Sequence, residues 1–193
     1  MQAEEVLQKF KDTGALLEGH FILSSGLHSE TYLQCALVLQ YPEVAEILGA
    51  AIATNFSDRG IRLVAAPAIG GLIIGHEVAR ALKARFIWTE RENGVMTLRR
   101  GFSITPGEIT LVVEDVVTTG RSTRETIAAL GNAGADVIAA ASIIDRSAGV
   151  ANVGVARVSL ATLNVMSLPA DQCPLCRAGV PTAKPGSRSI GSR

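Results

Sequence analysis

The sequence predicts an α/β fold, a parallel sheet flanked by helices, with a small hood subdomain drawn from both chain ends. Two observations carry this reading. Between residues 62 and 144, short β-branched runs alternate with helix-period segments. That is the pattern of strands buried on both faces and joined by helical crossovers. Outside that stretch, residues 1–35 and 155–185 are less periodic and richer in turn residues. With 193 residues, 48% of them hydrophobic, the chain is long enough for one domain with a sizeable core. The expected layout of 1–193 is a core over about 36–150, a hood from about 1–35 and 151–185, and a flexible tail over 186–193.

Each element has its own signal. Residues 4–12 read as a short helix with Val6, Leu7 and Phe10 on one face. Residues 20–34 read as two short strands around a Ser24-Ser25-Gly26 turn. Pro42 opens a helix through about Asn55, with Val44, Ile47, Leu48 and Ile52 giving the period. Strand 62–66 passes through a proline-glycine loop into a helix that reaches Leu82, and strand 85–89 follows directly. A polar segment carries Asn93-Gly94, a strong hairpin signal. Strand 109–113, a loop, a helix over about 122–132 and strand 136–144 close the series. Right-handed crossovers place helices on both faces.

Composition excludes several classes. Lysine plus arginine (18) equals aspartate plus glutamate (18), so no global charge draws the chain to nucleic acid or an anionic membrane. Any attraction for anions must be local. The longest apolar stretches, such as Ile138–Ile144, are too short to span a bilayer. The first residues, MQAEEVLQKFKD, are charged and amphipathic with no apolar signal core. The expected compartment is therefore the cytoplasm. Three cysteines do not make a secreted disulfide framework.

Residues 109–124 read ITLVVEDVVTTGRSTR. Glu114 and Asp115 stand where an apolar strand ends, and a Thr/Gly/Ser turn then opens a helix. Ligands of open parallel sheets bind outside the strands' carboxyl ends. A Gly-bearing turn into a helix amino terminus offers N–H groups to a phosphate. The adjacent acids would repel phosphate but suit neutral hydroxyls, so a sugar phosphate satisfies both halves. No Gly-Lys-Ser/Thr follows the glycine, which rules out a Walker loop. A plain capped turn with solvated acids is the simpler alternative, but paired acids at such a place are costly without a ligand. Residues 64–77, VAAPAIGGLIIGHE, form a second loop of this kind, small enough around Ile69, Gly70 and Gly71 for close backbone approach to an anion. Residues 90–102 carry the cations Arg91, Arg99 and Arg100 beside the hairpin signal.

The 109–124 segment resembles the 5-phosphoribosyl 1-pyrophosphate (PRPP) signature of the type I phosphoribosyltransferase family. That resemblance implies PRPP binding by Glu114, Asp115, Val116, Val117, Thr118, Thr119, Gly120, Arg121 and Ser122. It implies a pyrophosphate loop at Ile69 and Gly70. It also implies a mobile loop that closes over the site and brings Arg91, Arg99 or Arg100 to pyrophosphate, often in a neighbouring subunit. Glu114, Asp115 and Arg91 are the implied catalytic residues. Phe21–Tyr32 resembles the amino-terminal F-x-L-x-S-G-x-x-S-x-x-Y pattern of the orotate phosphoribosyltransferase family. Ile143-Ile144-Asp145-Arg146 resembles that family's strand ending in an arginine on the orotate carboxylate. Thr118, Arg146 and Ser25 are thus the implied orotate contacts, and a guanidinium fork suits an anionic base. The resemblance further implies a Mg²⁺ cofactor with no direct side-chain ligation, PRPP and orotate as partners, neither nucleic acid nor membrane, and a homodimer. The implied reaction yields orotidine 5′-monophosphate and pyrophosphate in pyrimidine biosynthesis. A purine or uracil phosphoribosyltransferase, or a PRPP-binding regulator, remains the alternative. Two departures stand out. Ser24 replaces a lysine common in the family, and the Lys-x-x-Lys-x-His loop pattern is absent.

Cys173-Pro-Leu-Cys176 is a lone C-x-x-C. A structural zinc site needs four ligands. Cys35, His20, His28 or His76 would have to complete it, and none has a second paired spacing. The pair reads as two reduced cysteines in a carboxy-terminal loop.

Overall fold

The computed structural model describes residues 1–23, 26–165 and 167–184. In chain order the elements are α1 (Ala3–Asp12), β1 (Leu16–Ile22), β2 (His28–Leu33), α2 (Cys35–Leu39), α3 (Pro42–Ala53), β3 (Leu63–Pro67), α4 (Gly71–Leu82), β4 (Arg85–Glu92), β5 (Val95–Leu98), β6 (Ile109–Val117), α5 (Arg121–Asn132), β7 (Asp136–Asp145), β8 (Ala156–Thr162), β9 (Ser167–Leu168) and α6 (Pro174–Arg177). No described helix is long and apolar enough to cross a membrane.

Six strands form the main sheet in the order β5-β4-β3-β6-β7-β8. All are parallel to their neighbours except β5, which returns antiparallel along β4 after the Asn93-Gly94 turn. Central β3 (LVAAP) is buried at all five positions. Its side chains alternate between two layers, as a strand period of two requires. Val64 joins Leu111, Val113, Ile74 and Val78 under α3 and α4. Leu63 and Ala65 join Val112, Ile87 and Leu130 under α5. Fully buried side chains such as Leu63 and Leu111 each contribute about 1.5–3 kcal/mol, which fixes β6 rigidly in the centre.

A second sheet, β1-β2-β9, is built from both chain ends. Its boundary corrects the expected hood. Residues 156–162 lie in the main sheet as its parallel edge strand, paired with β7 from Ala139↔Ala156 to Asp145↔Thr162. Residues 146–155 contain no helix between β7 and β8, so the strand–helix alternation that marked the other strands is missing here. α1, from the opposite end of the chain, packs on β8 instead. The strand over 109–113 also runs further than its apolar run suggests. β6 continues through Val117, which pairs with Asp145, so both acids lie within the strand. The tail expected over 186–193, and Ser24 and Ser25, lie outside the described residues.

Candidate active site

The carboxyl tip of β6 presents Glu114 and Asp115 side by side. Glu114 is 7% exposed. Burial, and then the neighbouring Asp115 charge, push its carboxyl up to about 9. Asp115 is raised too, chiefly by burial, although the Val116 N–H donates to its Oδ1 at 2.8 Å and holds it down in part. The buried Cys35 thiol lies beside Asp115, and burial and that carboxylate push its pKa well up. Two adjoining carboxyls in a low-dielectric setting cannot both ionise without a compensating ligand.

Past the acids, Val117 leads into Thr118-Thr119-Gly120, and α5 begins. Gly120 sits at φ 70°, the left-handed region. A Cβ there would meet Val153 Cγ1 at 2.8 Å, so the position admits only glycine on two counts. The turn aims the start of α5 back over the strand tip. The first turn of any helix leaves amides without intrahelical partners. Here the Arg124 N–H reaches Gly120 O at 2.9 Å, and the Arg121 N–H makes a long contact of 3.4 Å to Thr119 Oγ1. An open hollow of about 290 Å³ runs over this turn, lined by Glu114 and by residues 116–123. Its wall of amides and hydroxyls at a helix amino terminus suits a phosphoryl group, and Glu114 at its floor suits a hydroxyl.

The β3–α4 loop meets the same tip from the adjacent strand. A Cβ on Gly70 would lie 2.7 Å and 2.8 Å from the two Asp115 carboxylate oxygens. A Cβ on Gly71 would strike Val113 O at 2.9 Å. Both glycines are thus required by close approach to β6. Ile69, 83% exposed, rides at the loop's crest. The structure therefore brings Ile69 and Gly70 together with the acid pair.

Arg146 follows β7, and its backbone N–H donates to Val117 O at 2.8 Å, placing it on the strand beside β6. Its side chain is half-buried, and among the described residues its Nε has no hydrogen-bond partner. Burial lowers its pKa, while Tyr32 and Cys35 act in the opposite direction. An unpaired buried guanidinium nitrogen is costly in a folded protein. It suits an anion delivered from solution. The preceding Asp145 fixes the loop. Its carboxylate accepts from Ser147 N–H (2.7 Å), Ser147 Oγ–H (2.6 Å), Gly149 N–H (2.9 Å) and Arg157 Nη2 (2.9 Å).

The hairpin cations are placed differently. Arg91 pairs with Glu125 of α5, which also accepts from Arg121 Nε at 2.8 Å, so Arg91 stands by the helix that borders the hollow. Arg100 grips Glu90 with two bonds, 2.7 Å and 2.9 Å, and Arg99 contacts Glu90 and Glu92. Trp88 Nε1–H also donates to Glu90 at 2.8 Å, and these partners, Arg100 first, hold the Glu90 carboxyl down at about 2. All three arginines are engaged with local acids.

Known proteins are similar to this chain in sequence and fold. The phosphoribosyl transferase domain family matches residues 38–160. The orotate phosphoribosyltransferase of Pelotomaculum thermopropionicum is 52% identical over 190 residues, covering 98% of this chain and 100% of the relative. The chain belongs to the orotate phosphoribosyltransferase family. The crystal structure of the Aeropyrum pernix family member is similar at a TM-score of 0.69 and 28% identity, covering 82% of this chain and 93% of that one. An adenine phosphoribosyltransferase from Rhodothermus marinus reaches a TM-score of 0.64 at 20% identity, covering 83% and 99%. The fold alone therefore does not choose the base.

Four residues around the site have roles that the sequence alone does not declare. Asp145 looks like the end of an apolar strand, and only the structure shows its four donors. Cys35 and Tyr32 border the tip through α2 and β2, elements too short for a clear period. Arg157, on β8, was hidden because that strand was assigned to the hood.

Proposed function

We propose that the chain transfers the 5-phosphoribosyl group of PRPP to orotate, giving orotidine 5′-monophosphate and pyrophosphate. The observation that carries the base assignment is Arg146, half-buried beside the acid-bearing strand tip, whose Nε has no hydrogen-bond partner among the described residues. Its fork matches the orotate carboxylate, with Thr118 and Ser25 as further contacts.

In this reading the hollow over residues 117–123 holds the 5′-phosphate, and Glu114 and Asp115 hold the ribose hydroxyls. The orotate ring nitrogen forms its bond to the anomeric carbon as the bond to pyrophosphate breaks and pyrophosphate departs with the electron pair. Positive charge building on the ribose faces the acid pair. Ile69 and Gly70 cradle the leaving group, and Arg91, Arg99 or Arg100 offsets its charge. Such catalysis is positioning and preorganised electrostatics. The all-oxygen donor set at the tip suits Mg²⁺ held mainly by PRPP oxygens and water rather than by side chains. Glu114 and Asp115 would border the ion, and its chemistry there would be to neutralise charge on pyrophosphate. The free cysteines fit a reducing cytoplasmic setting. A homodimer is part of the reading. Its support is the family resemblance, which implies a mobile loop that often serves a neighbouring subunit.

The test is pyrophosphate release from PRPP and Mg²⁺ with orotate, uracil, adenine, hypoxanthine or guanine in turn. Turnover with orotate alone is expected. Turnover with another base, or PRPP binding without any turnover, would overturn the assignment.

A further inference from the structure

Four side chains that the phosphoribosyl site leaves unused converge in the hood. His20 lies on β1 and His28 opens β2. Cys173 precedes α6 and Cys176 lies one turn along it. One ligand atom from each falls within 4.8 Å of all the others. His20 Nε2 is 3.5 Å from Cys173 Sγ and 3.6 Å from Cys176 Sγ, and His28 Nδ1 is 3.3 Å from Cys176 Sγ. A tetrahedral zinc with Zn–N of about 2.0–2.1 Å and Zn–S of about 2.3 Å has nitrogen-to-sulfur edges of about 3.5 Å. The three nitrogen-to-sulfur separations of 3.3–3.6 Å already match. The two ring nitrogens stand 2.7 Å apart, and a bound ion would open that edge by roughly half an ångström.

We propose that His20, His28, Cys173 and Cys176 bind one structural zinc ion per chain. Three further observations converge on it. The first is orientation. His20 Nδ1 lies 2.7 Å from Val180 O. Donation there fixes the tautomer that turns the Nε2 lone pair inward, the usual outer-shell device of a metal-bound histidine. The second is chemistry. Two thiols and two imidazoles are a borderline-soft set of four, which selects zinc over the hard cations that oxygen ligands hold. His20, His28 and Cys173 are buried, so the site is closed as structural sites are. Binding releases the two thiol protons to solvent, and two thiolates with one Zn²⁺ sum to zero charge, which a buried site tolerates.

The third observation is what the segment lacks. β9 contributes two residues to the hood sheet, and α6 is four residues long with none of them buried. Yet this segment pairs with β2 and, through Ala183, exchanges hydrogen bonds with both His20 and Ile22 of β1 (2.7 Å and 2.9 Å). Apolar burial is too small to hold it there. A cross-link between positions 153 apart in sequence supplies what the core does not. Sequence spacing pairs the cysteines but hides the histidines, because their proximity is created by hairpin register. The hairpin that carries both histidines also carries Tyr32, which lies near Arg146, so the ion would hold that wall of the site.

The decisive experiment uses the full-length, untagged protein. Elemental analysis after zinc-supplemented expression should find about one zinc per chain, and reduced, chelator-stripped protein should take up one Co²⁺ with the intense visible bands of tetrahedral cobalt and thiolate charge-transfer absorption. Cys176→Ser and His28→Gln should each lose that spectrum, and Cys35→Ser should keep it. Hydrogen exchange should show residues 167–184 opening on zinc removal while β3 and β6 stay protected. Zinc below about a tenth of an equivalent, with no tetrahedral cobalt spectrum from the reduced wild-type protein, would overturn the proposal. So would a Cys173–Cys176 disulfide that, once reduced, takes up neither metal. The wild-type cobalt titration decides the matter even if the variants fail to fold.

Discussion

Replacing Glu114 by glutamine should stabilise the ligand-free protein while disabling it. The carboxyl is raised to about 9 by burial and by Asp115, from an ordinary 4.5. Between those values the folded protein keeps a proton that the unfolded chain releases. Stability therefore falls as pH rises across that window, by about 1.4 kcal/mol per unit for one proton. At pH 7.5 the accumulated cost is on the order of 2–4 kcal/mol, the lower figure allowing for water entry and side-chain relaxation. Asp115 is coupled to Glu114, so the retained proton belongs to the pair. Glutamine keeps the shape and cannot ionise. Urea unfolding without Mg²⁺ or PRPP, at pH 5.5, 6.5, 7.5 and 8.5, should give slopes for wild type and Glu114→Gln that differ by about one proton. The variant should melt roughly 5–12 °C higher at pH 7.5, and the two should converge toward pH 5. Turnover should fall at least about 100-fold, because a neutral amide opposes no developing positive charge. Parallel slopes, or a variant less stable than wild type at pH 7.5, would show that Glu114 is ionised in the folded protein and would refute the reasoning.

Three other substitutions probe the rest of the site. Arg146→Ala should lower kcat/KM for orotate by about 2–4 kcal/mol in barrier, roughly 30- to 1,000-fold. Its PRPP dissociation constant, read by calorimetry, should move less than about 3-fold, and equal losses of both would remove the base-reading role. Gly70→Ala places a methyl 2.7 Å from the Asp115 carboxylate and should weaken PRPP about 10-fold, near 1.4 kcal/mol. Wild-type affinity there would mean the loop is looser than it looks. Asp145→Asn should cost about 2–4 kcal/mol at pH 7 by stranding Arg157 and weakening the hold on Ser147. Burial pushes the Asp145 carboxyl up, but its Ser147 and Arg157 bonds more than offset that and lower its pKa. The wild-type advantage is thus fully present above the unfolded value near 3.8 and is lost as pH falls through the lower folded value. Urea midpoints at pH 7 and pH 3 should show the gap closing, and an unchanged gap would place the loss elsewhere.

Much of this molecule is legible in one dimension, and the exceptions have physical causes. β3, β6 and β7 are buried on both faces, so their apolar runs are continuous and unmistakable. The Thr118–Ser122 turn declares itself because acids, hydroxyls and a glycine must follow one another along the chain to build one end of a sugar-phosphate site. β8 does not declare itself, since it lies at the sheet edge with a mixed burial pattern and no helix before it. The roles of Asp145 and Arg157 are equally hidden, because they arise from a pairing across two strands. The hood chemistry is the extreme case. His20 and His28 become neighbours only through strand register, and the cysteines reach them only after the whole chain has folded.

The site carries opposite electrostatic debts on its two sides, and that asymmetry says what must enter it. At the β6 tip, burial pushes the Glu114 and Asp115 carboxyls upward, and the Asp115 charge adds to the rise at Glu114. On the neighbouring strand burial pushes Arg146 downward, and its Nε has no hydrogen-bond partner among the described residues. A neutral base would leave the half-buried Arg146 Nε without an anionic partner. Sites built around a buried polar partner reject analogues that lack it by factors on the order of 10⁴, far more than shape alone achieves. An anionic base joined to a hydroxylated sugar settles both sides at once. Since the adenine-type relative shares the fold without settling which base is read, discrimination should reside in the Arg146 guanidinium rather than in the sheet that carries it.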